Sequence, residues 1–498
     1  MQPGSREREV LKHIEGILVG TALYLLFVEI YSITLADVDL WGYLSFGRAF
    51  WETGEFPYRD LFAYTPTKDL WVYHEWLTGI VYFDILRRAG NAGLQLLRYA
   101  FVLATLFLIY LTAVKRGATP LAACIALVPA MLLISFGYVP VRAQMFTYFF
   151  FTLTLYILEC ARLRQRWLIL SWLLPVQILW CNFHGGFVAG LALIGLYALG
   201  EALSGKKPLP LLAAGILAAG ATLINPYGAR YWLYMSDAVF MPRSEINEWI
   251  SVIGAINRGV YDLPAYLFSL MALVSLVCYL LRRRRDYVDI LVIGAMIIIG
   301  ISHVRHTVFL GLVFGAYLPL LLSEHLRLLS ERKTSLRAKQ WIPGSIFVCL
   351  VLLAHLVVNP SRLPPLVPSF AITTLQSRYP VAALNWMMQK GLKGNILPFF
   401  DWGEFIIWHS YPDCRVAMDG RYETVYQEPV HREYFDFLFA RPKWRVFLEK
   451  YPHEMILLHS GIEIADLMKQ EKGWRLVYGD RESVLFIRDQ DQRLPNDR

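Results

Sequence analysis

Long stretches of this chain run without a single Lys, Arg, Asp or Glu, among them Tyr99–Val114, Phe187–Gly200, Pro208–Ile224, Leu263–Leu281, Ile290–Ile301 and Ile342–Val358. Crossing the hydrocarbon core takes about 20 mostly apolar residues, with a range of roughly 17–25. Inside hydrocarbon every backbone N–H and C=O must be satisfied within the protein. Repeated runs of this kind therefore predict a bundle of membrane-spanning α-helices. The composition agrees: 56% of residues are hydrophobic and 18% charged, against roughly 45–50% and about 25% in soluble domains.

Eleven spans are predicted, at 14–35, 94–114, 120–137, 143–160, 167–181, 186–204, 208–224, 262–281, 287–302, 307–323 and 340–358. Trp76–Leu86 is apolar but only 11 residues long, contains Asp84 and precedes Arg87 and Arg88. It suits a helix lying in the interface better than a span. Under this reading one set of loops holds 19 Lys+Arg in 48 residues, including Arg162, Arg164, Arg166, Lys206, Lys207 and the run Arg282–Arg285, and the opposite set holds 10 in 108. Basic residues accumulate in cytoplasmic loops. The amino terminus is therefore expected in the cytoplasm and the carboxy-terminal region outside it, in a multi-pass protein of the inner membrane. Met1–Lys12 is charged, and the apolar stretch behind it is of span length without a small-residue cleavage site, so no cleavable signal peptide is expected.

A net charge of +8 would ordinarily raise the question of nucleic acid. Residues 360–498 contain 18 basic and 18 acidic side chains, so the whole excess lies in 1–359, where the span-flanking loops hold it. The charge records orientation, and no nucleic-acid partner is expected. Five of six cysteines lie in or beside spans and Cys414 stands alone in the carboxy-terminal region, which leaves that region without an internal disulfide.

Placed on this topology, the unusual polar residues share one side. Asp37 and Asp39 follow the first span, and His74 and Glu75 end the first outer loop. Arg142 lies between the third and fourth spans, and Asn182 and His184 in Trp180–Gly186. Asn225-Pro-Tyr-Gly228 opens a loop with Glu245, Glu248 and Trp249, and His303, Arg305 and His306 form the last outer turn. Ionisable groups at a bilayer are costly unless paired or wetted, which marks them as functional candidates. A carboxylate pair can deprotonate a hydroxyl or hold a divalent metal. Arg offers a fork to phosphate oxygens, and His moves protons. The loop aromatics Trp41, Phe46, Phe50, Trp51, Phe56, Tyr58, Trp71, Tyr73 and Trp76 suit sugar rings or a membrane belt.

Each residue has a plainer reading. Asp37 and His74-Glu75 could cap helices, Arg142 could reach to lipid headgroups, and His184-Gly-Gly could serve close helix packing. Asn225-Pro-Tyr-Gly228 reads first as a turn.

An acidic pair after the first span, followed by a long outer loop with short helices, resembles the GT-C glycosyltransferase superfamily, which includes protein mannosyltransferases, aminoarabinose transferases and oligosaccharyltransferases. The matching stretches are Ala36–Trp41, Gly54–Asp60, His74–Leu77, Val141–Phe146, Trp180–Gly186, Asn225–Gly228 and Asp419–Arg421. They extend across nearly the whole chain, which more narrowly resembles bacterial GT-C-like membrane proteins. The resemblance implies a polyprenyl-phosphate sugar donor, inversion at the anomeric carbon, and Asp37 as base or metal ligand with Asp39 as partner. Relatives often carry a His soon after the acidic pair, whereas this chain reads Trp41-Gly42-Tyr43-Leu44. A divalent metal (Mg or Mn) with His74 in that place, and a site working without metal, both remain open.

The expected organisation is a GT-C-like transmembrane domain over 1–359, containing the outer loop 36–93 with interfacial helices, and an extracytoplasmic α/β domain over 360–498. From about residue 371 apolar runs alternate with helical patterns. Strands are predicted at Asn395–Phe399, Arg415–Met418, Met455–Leu458 and Val484–Arg488, with helices near 381–389, 404–409, 433–438, 444–451 and 462–470. Asp419-Gly420-Arg421 follows a strand, where α/β folds place ligand contacts, although Asp-Gly is also a common turn. No glycine-rich phosphate loop and no paired Cys-X-X-Cys is present.

The expected function is transfer of a sugar from a polyprenyl-phosphate donor to a glycan, lipid or protein acceptor. Asp37, Asp39, Glu75 and His74 form the catalytic set. Arg142, Asn182, His184, Arg305, His306, Asp419 and Arg421 form the binding set. The alternatives are a non-catalytic lipid or glycan transporter on the same scaffold and a structural membrane subunit. Glu29, Glu159, Glu201 and Asp289 fall within predicted spans and speak for the transporter.

Overall fold

The computed structural model describes residues 3–489 apart from 242, 244, 283, 284, 332–335, 360–362 and 364. Arg283 and Arg284 of the basic run Arg282–Arg285 thus lie outside the described residues, as does the region just after the predicted domain boundary at 359. The chain divides into two compact units. The first comprises 1–34, 95–228 and 240–371, the second 35–94, 229–239 and 372–498.

The first unit is helical. Among the described residues seven helices are long and apolar enough to cross a membrane: His13–Tyr31, Trp76–Lys115, Pro120–Tyr138, Gln144–Arg164, Gly185–Leu203, Asp262–Leu281 and Val304–Glu324. Four shorter apolar helices are Trp167–Phe183, Leu209–Ala221, Tyr287–Ser302 and Gly344–Val358. Seven of the predicted spans fall on the long helices and four on the shorter ones, so a multi-pass membrane protein is shown and the count of eleven crossings is not. The ends follow local rules. Thr119 accepts the Ala122 N–H ahead of Pro120, and Asp286 accepts the Val288 N–H ahead of Tyr287. Gln165, at φ 52°, stops the Gln144–Arg164 helix in the left-handed conformation. Gly90 is non-helical at φ 60° and ψ −158°, so Trp76–Lys115 is two helices meeting at a kink. The predicted short helix at Trp76–Leu86 is the first of them.

Arg98 is fully buried in this unit. It donates to the Tyr31 carbonyl, to the carbonyls of Tyr138 at 2.8 Å and Val139 at 3.1 Å, and to Gln95 Oε1 at 2.9 Å. One guanidinium thus serves the carboxy ends of two helices, whose last carbonyls have no partner within the helix.

The four acids singled out within predicted spans, Glu29, Glu159, Glu201 and Asp289, are each paired. Glu159 and Asp289 both meet Arg116, at 2.7 and 2.6 Å. Glu201 meets Arg162 at 2.6 Å, Asp289 also meets Arg282 at 3.1 Å, and Glu29 meets His355 at 2.7 Å.

The second unit is built on a five-stranded sheet in the order β2-β1-β3-β5-β4. The strands are β1 (Gly394–Pro398), β2 (Cys414–Val416), β3 (Met455–His459), β4 (Trp474–Gly479) and β5 (Ser483–Arg488). β1 runs parallel to β2 and β3, while β5 is antiparallel to β3 and β4. In this mixed sheet the central strands β3 and β5 are buried along nearly their whole length, which gives them continuous apolar runs in place of alternation. Four strands match the sequence reading, and β4 is the one it did not find. β4 is an edge strand, and its burial follows no alternation, so it leaves no period-two pattern.

The first loop is part of this unit. Val416 N–H donates to the Phe62 carbonyl at 3.0 Å, and Tyr64 N–H donates to the Val416 carbonyl at 3.2 Å, which extends the sheet beyond β2. The Thr67–Tyr426 and Leu35–Thr373 bridges add two further ties.

Candidate functional site

The predicted site residues fall in both units, with Asp37, Asp39, His74, Glu75, Asp419 and Arg421 in the second and Arg142, Asn182, His184, Arg305 and His306 in the first. In the second unit the Leu40–Thr53 helix begins just after the acidic pair. Asp37 is buried, and its Oδ1 accepts the Asp39 N–H at 3.1 Å. Asp39 is the N-cap residue of that helix, yet its side chain makes no capping hydrogen bond. Glu75 is buried and accepts the Tyr43 hydroxyl at 3.2 Å. His74 Nε2 lies 3.7 Å from Glu75 Oε2, and its Nδ1 lies 3.1 Å from the Tyr234 hydroxyl. The His74 and Tyr234 rings stack at 5.6 Å.

Glu404, which the sequence reading did not single out, belongs to the same cluster. It opens the Gly403–Ser410 helix just after β1, and its Oε2 accepts the Gly42 N–H at 3.0 Å. A side chain at Gly42 would collide with this carboxylate. A Cβ on Gly420 would stand 2.8 Å from Glu404 Oε1 and 3.7 Å from Asp39 Oδ1, so both carboxyl groups converge on that glycine. Burial, reinforced by the charges of Asp39 and Asp419 and opposed by Arg421, pushes the Glu404 carboxyl well above its ordinary range. The same environment raises the Tyr73 hydroxyl, through burial first and then Glu75 and Glu404. The rule that pointed to Asp419, a residue at the carboxy end of a sheet strand, applies equally to Glu404.

Asp419 and Arg421 are both buried. Arg421 Nη2 and Nε donate to Asp419 at 2.6 and 2.8 Å, and Nη1 donates to Asp60 Oδ1 at 2.7 Å. Tyr426 donates its hydroxyl to Asp419 Oδ2 at 2.8 Å. The guanidinium lies 5.0 Å from the ring centres of Phe62 and Trp71. Asp60 in turn accepts the N–H groups of Phe62 and Ala63. Burial works against the charge on Arg421, but Asp419 and Asp60 outweigh it and raise the guanidinium above its ordinary value. This pair fastens the first loop to the sheet.

In the first unit Arg142 Nη1 lies 2.7 Å from Glu248 Oε1. The neighbouring Trp249 ring is approached by Arg243 at 4.2 Å and Arg305 at 4.7 Å. The rings of His303 and His306 lie 5.1 and 5.7 Å from it. His306 Nδ1 is buried and makes no hydrogen bond among the described residues. Arg243 carried no signal in the sequence beyond its place in a long loop. His184 Nδ1 accepts the Gly186 N–H at 2.8 Å and lies 2.8 Å from the Thr147 hydroxyl, which itself accepts the Trp180 Nε1–H at 2.8 Å. An accepting Nδ1 places the ring proton on Nε2 in the neutral imidazole. Asn182 donates to the carbonyls of Ile178 at 2.7 Å and Ile224 at 2.9 Å, and so ties two helix ends together.

Among the described residues no group of three or more His, Cys, Asp or Glu side chains is arranged to hold a metal ion.

No family model and no curated protein sequence matches the chain. Solved structures do. The chain is similar to ArnT from Cupriavidus metallidurans in the apo state, with 14% identity, 96% of this chain and 98% of that chain covered, and a TM-score of 0.56. It is likewise similar to the same protein bound to undecaprenyl phosphate, with 14% identity, coverage of 94% and 97%, and a TM-score of 0.53. ArnT is a GT-C family glycosyltransferase. Helical bundle, carboxy-terminal sheet and this end-to-end likeness together make the chain a membrane protein of GT-C-like fold.

Proposed function

We propose that this protein is an inner-membrane glycosyltransferase that moves a sugar from a polyprenyl-phosphate donor to a glycan, lipid or protein acceptor outside the cytoplasm. The observation that carries the reading is the acidic pair at the start of the Leu40–Thr53 helix, Asp37 buried and Asp39 half-buried, on a fold that ArnT uses with undecaprenyl phosphate bound. The amino terminus is cytoplasmic and the second unit extracytoplasmic, in line with the distribution of Lys and Arg.

Asp37, supported by Asp39, takes the proton of the acceptor hydroxyl as that oxygen attacks the anomeric carbon. The bond from that carbon to the phosphate oxygen breaks with its electron pair, and the configuration inverts. His74 and Glu75 order the loop that carries the pair. Within the first unit, Arg142 and Arg305 are the candidates for contact with a lipid phosphate, with His184 Nε2–H and His306 as further donors. Asn182 braces two helix ends of the first unit, and Asp419 and Arg421 brace the first loop against the sheet of the second. Acceptor recognition is assigned to the second unit.

The purified protein incubated with polyprenyl-phosphate sugars tests this reading. Polyprenyl phosphate is expected to co-purify and to be detected by mass spectrometry. Asp37→Ala is expected to cut turnover by about 10²-fold or more while the protein stays folded, the usual cost of losing a general base. Near wild-type transfer by a folded Asp37→Ala protein would refute the assignment.

A further inference from the structure

A helix leaves its first N–H groups without partners, and an Asp at the N-cap normally accepts from the second or third of them. Counting from Asp39, the third is Gly42. That N–H is already taken by Glu404, a residue brought from the other end of the sequence at 3.0 Å. Asp39, whose backbone is helical at φ −74° and ψ −17°, makes no capping bond. Two glycines make the exchange sterically feasible. Gly42 has no Cβ to block the incoming carboxyl, and Gly420 lets Glu404 Oε1 and Asp39 Oδ1 approach the same Cα.

We propose that Glu404 is a positioning residue for the acidic pair: it caps the Leu40–Thr53 helix in place of Asp39, and so keeps the Asp39 carboxylate turned away from the helix end and beside Asp37. This rests on the reading of Asp37 and Asp39 as the proton-accepting pair. The environment is consistent with a cap that stays neutral, since burial and the Asp39 and Asp419 charges favour the protonated Glu404 carboxyl. A neutral cap adds no further negative charge to the pair.

Structures of Glu404→Ala, Glu404→Asp and Glu404→Gln, determined by cryo-electron microscopy of the full chain in nanodiscs, test the capping exchange directly. In Glu404→Ala, and in Glu404→Asp whose shorter side chain falls short of Gly42, the Asp39 carboxylate is expected to turn onto the Gly42 N–H. In Glu404→Gln the amide oxygen keeps that bond and Asp39 stays in place. An Asp39 side chain that does not move in either shortened variant overturns the proposal. Turnover of a polyprenyl-phosphate sugar provides the second readout. Glu404→Ala is expected to lower kcat by about tenfold or more with KM nearly unchanged, and Glu404→Gln to restore most of it. The Glu404→Ala loss should shrink to about twofold or less in an Asp39→Asn background, as for residues acting through one another. An undiminished loss in that background also overturns the proposal. If the wild-type protein transfers no polyprenyl-phosphate sugar, the functional reading fails while the structures still decide the capping exchange.

Discussion

Arg421 shows how a side chain with ligand-binding chemistry can be committed to its own fold. Its guanidinium meets Asp419 and Asp60 while buried, and removing it would strand two carboxylates. Arg421→Met is expected to destabilise the protein by about 3–5 kcal/mol, the usual cost of breaking a buried pair from one side, read as a lower thermal unfolding midpoint in detergent. Glu404 gives a pH dependence with a definite sign. Its folded pKa is raised above the ordinary 4.5, so its contribution is full below about that value and is lost as pH rises through the raised one. Glu404→Gln, which cannot ionise, should remove this decline and unfold at a higher temperature than wild type at alkaline pH. Glu248 occupies the Arg142 fork, so a lipid phosphate would have to displace it. Glu248→Gln is expected to tighten undecaprenyl phosphate binding several-fold, by roughly 1 kcal/mol on the scale of a partly exposed ion pair, measurable by titration in nanodiscs. Asp37 and Asp39 were legible in the sequence because acids directly after a span are rare and local. Glu404 was not, because its meaning depends on a contact 362 residues away in sequence.

At the scale of elements, legibility followed periodicity. Spans announced themselves by apolar length, and caps such as Thr119 and Asp286 stood where composition changed. β4 escaped because an edge strand with uneven burial has no alternation to find. The membership of the first loop in the sheet unit escaped for another reason: its ties are single bridges and backbone bonds such as Phe62 to Val416, which any residue type can make. The Leu40–Thr53 helix approaches the Trp76 helix closely at Gly47, where a Cβ would run into the Gly79 carbonyl. Gly47→Ala is therefore expected to cost about 1–3 kcal/mol as an overpacked contact, visible as increased protease sensitivity of the 36–93 loop.

For the molecule as a whole, the net charge of +8 serves as a compass. Alkaline phosphatase fused after residue 489 should be active in a bacterial host and a fluorescent protein there dark, with the opposite result for fusions in the loop at 205–207. The second unit adds a consequence for synthesis. Its parts are 35–94, 229–239 and 372–498, so the loop bearing Asp37 and Glu75 leaves the ribosome long before the strands that complete its sheet. At ~5–20 residues per second the delay is on the order of tens of seconds, during which the loop must wait outside the bilayer as an unfinished surface. A chain cut short at residue 359 would never end that wait, and its exposed aromatics would make it a natural client for chaperones and proteases of the cell envelope.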